Sequence, residues 1–239
     1  MLESRQLVPE RMDDPALPPH EHDRALADLA RLNSLARSAA ILWPAVRAEL
    51  QRAAAAGRVA RVLDVATGSG DIPATLGRWA RREGLNAHWI GVDASAHALA
   101  RAAARAAKEA MPIELHQADA TRDLPVRADV VISSLFLHHL SQMSAIDALR
   151  TMSGAAVSAL VVSDLRRSAP GLALAWTASR MISRSPVVHF DAVVSVRGAF
   201  TEQELSGLAS AAGLHGASVR RAWPQRMVLQ WSPRRGSSA

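Results

Sequence analysis

The chain contains no cysteine. Disulfides, zinc–cysteine sites and iron–sulfur clusters are therefore excluded, and with them every mechanism whose nucleophile is a thiolate. No uncharged apolar run approaches the roughly 18 residues that a membrane-spanning helix needs. The first 19 residues are charged and punctuated by proline, where a secretory signal would carry an apolar stretch. A soluble, cytoplasmic protein without a membrane partner is expected. Lysine is nearly absent: Lys108 stands alone, and the formal charge of +6 comes almost wholly from arginine. Those arginines are scattered, as in Arg81-Arg82, Arg166-Arg167, Arg220-Arg221 and Arg234-Arg235, and aromatic residues make up only 4%. Neither the dense basic stripe nor the stacking platform of a nucleic-acid groove is present, so no nucleic-acid partner is expected.

What the chain has in quantity is apolar surface. Of 239 residues, 49% are hydrophobic, enough to build a sizeable core in an α/β domain. Over residues 22–56, Leu26, Leu29, Leu32, Leu35, Ile41, Leu42, Val46 and Leu50 recur at helical spacing, and Pro44 is expected to divide the run into two helices. These helices define an N-terminal cap over residues 1–57, with the core in 58–239. Short β-branched runs follow at 62–66, 88–93, 113–117, 129–134 and 159–164, alternating with helical stretches at 72–83, 96–110 and 141–153. Such alternation specifies a doubly wound, mostly parallel sheet.

The pattern then changes. A helix near 170–183 is followed by a polar–apolar connector over 185–199 and by a helix that Thr201 opens with Glu204 three residues on. Apolar runs at 215–219 and 226–231 are expected to pair as an antiparallel hairpin at the sheet edge. The expectation is an α/β fold with seven strands and a lid inserted after strand 5, at about 168–199.

Val62-Leu63-Asp64-Val65-Ala66-Thr67-Gly68-Ser69-Gly70-Asp71 begins as a buried strand and passes into a helix. Its glycines lie where a ligand can approach backbone amides and a helix N-terminus. A loop of this kind suits a nicotinamide dinucleotide equally well. Asp93 ends the second strand about 25 residues beyond Gly68, the spacing at which an acid reaches ribose hydroxyls. A third acid, Asp119, ends the third strand ahead of Ala120. Each acid alone would also serve as a helix N-cap; three in register point to a ligand.

The loop and the two acids resemble class I, Rossmann-like S-adenosylmethionine-dependent methyltransferases, with firm motifs over residues 62–164. Asp64 matches the acid of the first motif, Ala66 stands where its first glycine is usual, and Gly68 and Gly70 match the later ones. The resemblance implies S-adenosyl-L-methionine as cofactor and S-adenosyl-L-homocysteine as product. It implies contacts from Asp64, Ala66, Thr67, Gly68 and Gly70 in the loop, from Asp93 and Ala94 to the ribose, and from Asp119 and Ala120 to the adenine. Ser134 follows on the fourth strand, and Asn33 and Arg37 of the N-terminal helices are placed to meet the cofactor's carboxylate, Arg37 as a bidentate partner. The flanks are similar to small bacterial methyltransferases of polyketide and phenolic-lipid pathways, and the apolar lid helices imply a homodimer.

Methyl transfer from a sulfonium needs a positioned acceptor and, for a hydroxyl, a base. His138 and His139 follow the fourth strand at the carboxyl edge of the sheet, where ligands bind in open α/β folds. A histidine can accept the proton of a phenol or enol, whereas an aliphatic alcohol is a harder task. The expected acceptor is therefore a small aromatic or polyketide-like molecule with a weakly acidic hydroxyl. In the connector, His189 and Asp191 would act as a base and its orienting carboxylate if the chain there is not helical, with Arg197 nearby. Asp164 ends the fifth strand at the same edge, and Trp176 lies in the apolar helix beside it; both are expected near the substrate.

Other branches of the family fit less well. Ser133-Ser134-Leu135-Phe136 stands where base N-methylation would require an Asn/Asp-Pro-Pro-aromatic motif. Cytosine C5 methylation and radical chemistry both require cysteine. A single carboxylate, Asp164, after the fourth and fifth strands is too little for a magnesium site, so no metal is expected. N- or C-methylation of a small molecule, and a regulatory protein that binds the cofactor without turnover, are the alternatives.

Overall fold

The computed structural model describes residues 2, 4–13, 16–18, 20, 21, 23–25, 27, 28, 31 and 37–233. Leu26, Leu29, Leu32, Asn33, Leu35 and the tail containing Arg234 and Arg235 lie outside these residues. Strands β1 (Ala60–Val65), β2 (Ala87–Asp93), β3 (Ile113–Gln117), β4 (Ala128–Ser134), β5 (Ala156–Leu165), β6 (Ser218–Ala222) and β7 (Arg226–Trp231) form one sheet in the order β3-β2-β1-β4-β5-β7-β6. The five strands from β3 to β5 are parallel, and β7 runs antiparallel to both β5 and β6. This is the mostly parallel seven-stranded sheet with an antiparallel edge pair that the alternating pattern specifies.

Helices cover both faces. On one, α1 (Ser38–Ala55) and α2 (Asp71–Arg82) bury Leu42, Val46, Leu50, Ile72 and Leu76 against Val62, Val130, Ile132, Val161 and Val228. On the other, α4 (Gln142–Ala155) and α7 (Glu202–Ala211) bury Ile146, Leu149, Met152, Leu205 and Leu208 against Leu63, Val65, Val131 and Val162. Alternate residues of β1, β4 and β5 thus enter opposite cores, as the period of two requires. Thr201 and Glu204 form the reciprocal capping box that opens α7. Ser95 and Ser141 cap α3 (Ala96–Lys108) and α4 by accepting from Ala98 and Ser144.

The structure corrects three expectations. Pro44 lies inside the continuous helix α1 and does not divide it. It is exposed, so the N–H it lacks is lost from the solvent side, while Leu42 and Val46 hold the helix to the sheet. Residues 185–199 are not an irregular connector. After α5 (Ala169–Ile182) they form α6 (Pro186–Gly198), with Pro186 at the first turn and Val187, Val188, Asp191, Val194 and Val196 buried. A β-branched helix buried on several sides carries no polar stripe, which removes the periodic signal. Finally, β6 occupies Ser218–Ala222, three residues beyond the expected start.

Candidate active site

Between β1 and β4 the strand order reverses, opening a crevice at the carboxyl ends of the strands. The loop leaving β1 turns through left-handed backbone at Ala66 (φ 57°), Gly68 (φ 56°) and Gly70 (φ 72°). Glycine meets that demand freely; Ala66 does so at a cost of about 1–2 kcal/mol. A Cβ on Gly68 would meet nothing within 4 Å, so the loop leaves open space for a ligand to pass along its backbone. The Gly68 N–H donates to Asp93 Oδ2 at 2.8 Å and the Ser95 N–H to Asp93 Oδ1 at 2.9 Å. These two bonds fix the Asp93 carboxylate at the rim with lone pairs left for hydroxyl donors.

Asp64 is 2% exposed and accepts the Thr67 hydroxyl at 2.8 Å. Burial pushes its pKa up to about 8; the Thr67 bond opposes this, while Asp71 and Asp93 add to it. Asp119 is exposed and accepts both the N–H and the hydroxyl of Thr121, which hold its carboxyl below the usual range. Ala94 is exposed beside Asp93, and Ala120 is buried. Ser134 ends β4 on the same sheet face as Asp64.

On the opposite face, a 3-10 turn at Leu137–His139 carries the two histidines. Leu135, left-handed at φ 59°, turns the chain out of β4, and its N–H donates to the Ser163 carbonyl at 2.9 Å. His138 is 4% exposed. Its Nδ1 meets Asp164 Oδ1 at 2.7 Å, its N–H donates to Asp164 Oδ2 at 3.0 Å, and its Nε2 lies 3.7 Å from Glu10 Oε1. Burial alone would lower the His138 pKa; the Asp164 and Glu10 carboxylates outweigh it and push it up to about 9. The buried Asp164 carboxyl is held below its ordinary value: burial opposes this, and His138 and Arg226 outweigh it. His139, with 31% of its side chain exposed, stacks on His138 at 4.2 Å between ring centroids and places Nδ1 3.8 Å from the same Glu10 oxygen.

Glu10 was invisible to sequence reasoning, since an isolated acid in an N-terminal segment carries no motif. It is brought there by the segment around it: Arg5 donates to the carbonyls of His138 (2.9 Å) and Leu140 (2.6 Å), its guanidinium stacks on Phe200, and Ser195 donates to Glu10. Glu10, His138 and His139 are, among the described residues, the group whose ligating atoms could hold a metal ion, all lying within 4.8 Å of one another.

The remaining candidates do not join this cluster. Because α6 is helical, His189 and Asp191, two residues apart, point away from each other. His189 Nε2 meets the Ser183 carbonyl at 2.8 Å. Asp191 accepts the N–H groups of Arg11 and Met12 at 2.8 and 3.1 Å, anchoring the N-terminal segment. Arg197 is exposed at the end of α6. Trp176 is 52% exposed with Arg180 over its ring. Arg37 is the exposed, left-handed residue preceding α1. A second residue missed from sequence is Arg226, which opens an apolar strand and becomes a buried cation at 1% exposure.

Residues 62–159 match the family model described as a methyltransferase domain. None of the curated proteins matches the sequence. Among solved structures, the plantazolicin methyltransferase BamL, determined with a triazolic desmethylPZN analogue and SAH, superposes with a TM-score of 0.64 at 14% identity, covering 90% of each chain. A protein of Nostoc punctiforme PCC 73102 assigned as an O-methyltransferase gives 0.61 at 20% identity, over 91% of this chain and 62% of that one. An O-methyltransferase from neocarzinostatin biosynthesis, bound to S-adenosyl-L-homocysteine and 1,4-dihydroxy-2-naphthoic acid, gives 0.59 at 18% identity, over 87% and 57%. The chain thus spans about three fifths of the length of the last two. At these identities the likeness is one of fold.

Proposed function

We propose that this chain is an S-adenosylmethionine-dependent methyltransferase of the Rossmann-like class I fold and that it methylates a phenolic or enolic oxygen on a small natural-product intermediate. The observation that carries this reading is the Asp164–His138–Glu10 chain with His139 beside it, at the carboxyl edge of β4 and β5, the edge from which the Gly68 loop also leaves β1. The small-molecule acceptors held by the neocarzinostatin and plantazolicin enzymes support the substrate class.

The open space at Gly68 and the fixed Asp93 carboxylate fit a nucleoside laid along the loop. Thr67, Gly68 and Gly70 would hold its backbone-facing side, Asp93 and Ala94 the ribose, and Asp119 and Ala120 the adenine. When bound, S-adenosylmethionine supplies an already activated methyl group, so the protein's tasks are to position the acceptor and take its proton.

His138 is protonated near neutral pH and engaged by carboxylates at both ring nitrogens, so it is a positioning cation and not the base. That leaves His139, the more exposed ring, to accept the hydroxyl proton. Glu10, 3.8 Å from His139 Nδ1, then stabilises the imidazolium that forms. The same carboxylate and the His138 ring stack fix the orientation of His139 while the acceptor waits. No helix among the described residues is long and apolar enough to cross a membrane.

A tritiated-methyl screen over phenols, resorcinols, enolic polyketides and amines tests the reading. O-methyl product is expected, with turnover falling about 100-fold or more in His139→Ala while S-adenosylhomocysteine binding is kept. Label found on nitrogen or carbon alone overturns the acceptor; full turnover in His139→Ala overturns the base.

A further inference from the structure

Arg226 lies on the sheet face shared by Asp64, Ser134 and Ser163, two residues of β7 before the apolar core at Val228. It is the bulkiest fully buried side chain among the described residues, 1% exposed. Its hydrogen-bond partners are all uncharged; the carboxylate that acts on it through space is Asp164, which lies on the other face of the sheet and bonds His138. Nη1 donates to Ser38 Oγ at 3.1 Å, and Nη2 to Ser134 Oγ at 3.2 Å, Ser163 Oγ at 3.1 Å and the Ser163 carbonyl at 3.4 Å. Nε is buried with no acceptor. A guanidinium taken out of water is ordinarily paired with an anion; here hydroxyls and one carbonyl fill its hydrogen-bonding positions, Asp164 is bonded to His138 instead, and one donor is unused.

A second feature converges on the same point. Ser38, the partner of Nη1, is the first residue of the 18-residue helix α1, whose N-cap residue Arg37 makes no side-chain cap bond. Unpaired N–H groups of a first helical turn and a guanidinium together form an anion seat. Asp64, on β1 beside the β4 strand that carries Ser134 and on the same face, is the complement. Buried and bonded to Thr67, it is an acid placed to ionise when a cation arrives. The strands that carry cation and acid are separated by β4 and β5, but the guanidinium reaches across to Ser134 of β4, beside β1, and the two groups match the two ends of an α-amino acid.

We propose that Arg226, with Ser134 and the first turn of α1, seats the α-carboxylate of the cofactor's methionyl end, and that Asp64 receives its α-ammonium. The seat rests on the cofactor assigned above, and it moves to Arg226 the role that sequence reasoning gives to Arg37, which is exposed. Ser134 keeps its expected place at the cofactor, now as part of the seat.

Titration calorimetry on the full chain tests this with three probes: S-adenosylhomocysteine, its decarboxylated analogue, and 5′-methylthioadenosine, which lacks the amino-acid end. The parent should favour S-adenosylhomocysteine over the decarboxylated analogue by about 30-fold or more, the ratio expected when one partner of a buried charge pair is removed. Arg226→Gln should erase that preference while leaving methylthioadenosine affinity as in the parent, and Arg226→Lys should restore part of it. If Arg226→Gln fails to fold, the comparison of ligands on the parent decides the matter. Equal affinity of the parent for S-adenosylhomocysteine and the decarboxylated analogue overturns the seat alone, as does equal weakening of all three probes in a folded Arg226→Gln. Failure of the parent to bind S-adenosylhomocysteine overturns the cofactor assignment and the seat together.

Discussion

Replacing Asp164 by asparagine removes the principal counter-charge of His138 while keeping the shape of the side chain. In the folded protein the His138 pKa stands at about 9 against 6.5 for an ordinary histidine. Over that interval the native state holds a proton that the unfolded chain has released, so stability falls by about 1.36 kcal/mol per pH unit as pH rises. The whole contribution is roughly 3 kcal/mol, fully present below pH 6.5 and lost as pH passes about 9. Asp164 has the opposite sign: its lowered pKa adds stability above 3.8 that is lost as pH falls through the folded value. The pair is therefore strongest between about pH 4 and 6.5. Urea unfolding followed by fluorescence of the six tryptophans, at half-unit steps from pH 6 to 9.5, measures this directly. Asp164→Asn should be less stable than the parent by roughly 3 kcal/mol at pH 6, and the gap should close as pH approaches 9.5. A gap that stays constant across the range refutes the assignment of a buried imidazolium.

Three further outcomes are expected. Ala66→Gly relieves left-handed backbone at φ 57° and should stabilise the fold by roughly 0.5–1 kcal/mol after the entropy cost of glycine; a loss in the same urea assay counts against strain at this position. Gly68→Val places a branched side chain in the open space over the loop and strains φ 56°, so S-adenosylhomocysteine affinity by calorimetry should drop about tenfold or more; unchanged affinity moves the ligand elsewhere. Arg167→Met breaks donations to the Ala199 and Leu2 carbonyls and the bidentate pair with Glu204, which is 40% exposed, and should cost roughly 2 kcal/mol; a cost under about 0.5 kcal/mol shows these bonds to be idle.

The sequence alone determined what local chemistry dictates. Alternating β-branched and helical runs specified the parallel sheet, Thr201 and Glu204 specified the start of α7, and the glycines after Asp64 marked a turn that only left-handed backbone can make. Such features depend on residues within a few positions of one another, so they survive reading in one dimension. Helix α6 escaped because its valines are buried on several sides and carry no periodic polar face. With it went the pairing of His189 and Asp191, which helical geometry separates.

Only the tertiary structure decided the chemistry of the histidines and of the buried cation. His138 meets Asp164 across 26 residues of chain, Ser195 reaches Glu10 across 185, and Arg226 reaches Ser38 across 188. Whether a histidine is a base or a fixed cation depends on which carboxylates face it and how much water reaches it, and neither is written in its neighbours along the chain. The same holds for Arg226, an unremarkable strand residue in sequence that burial among uncharged hydrogen-bond partners turns into the place where an anion belongs.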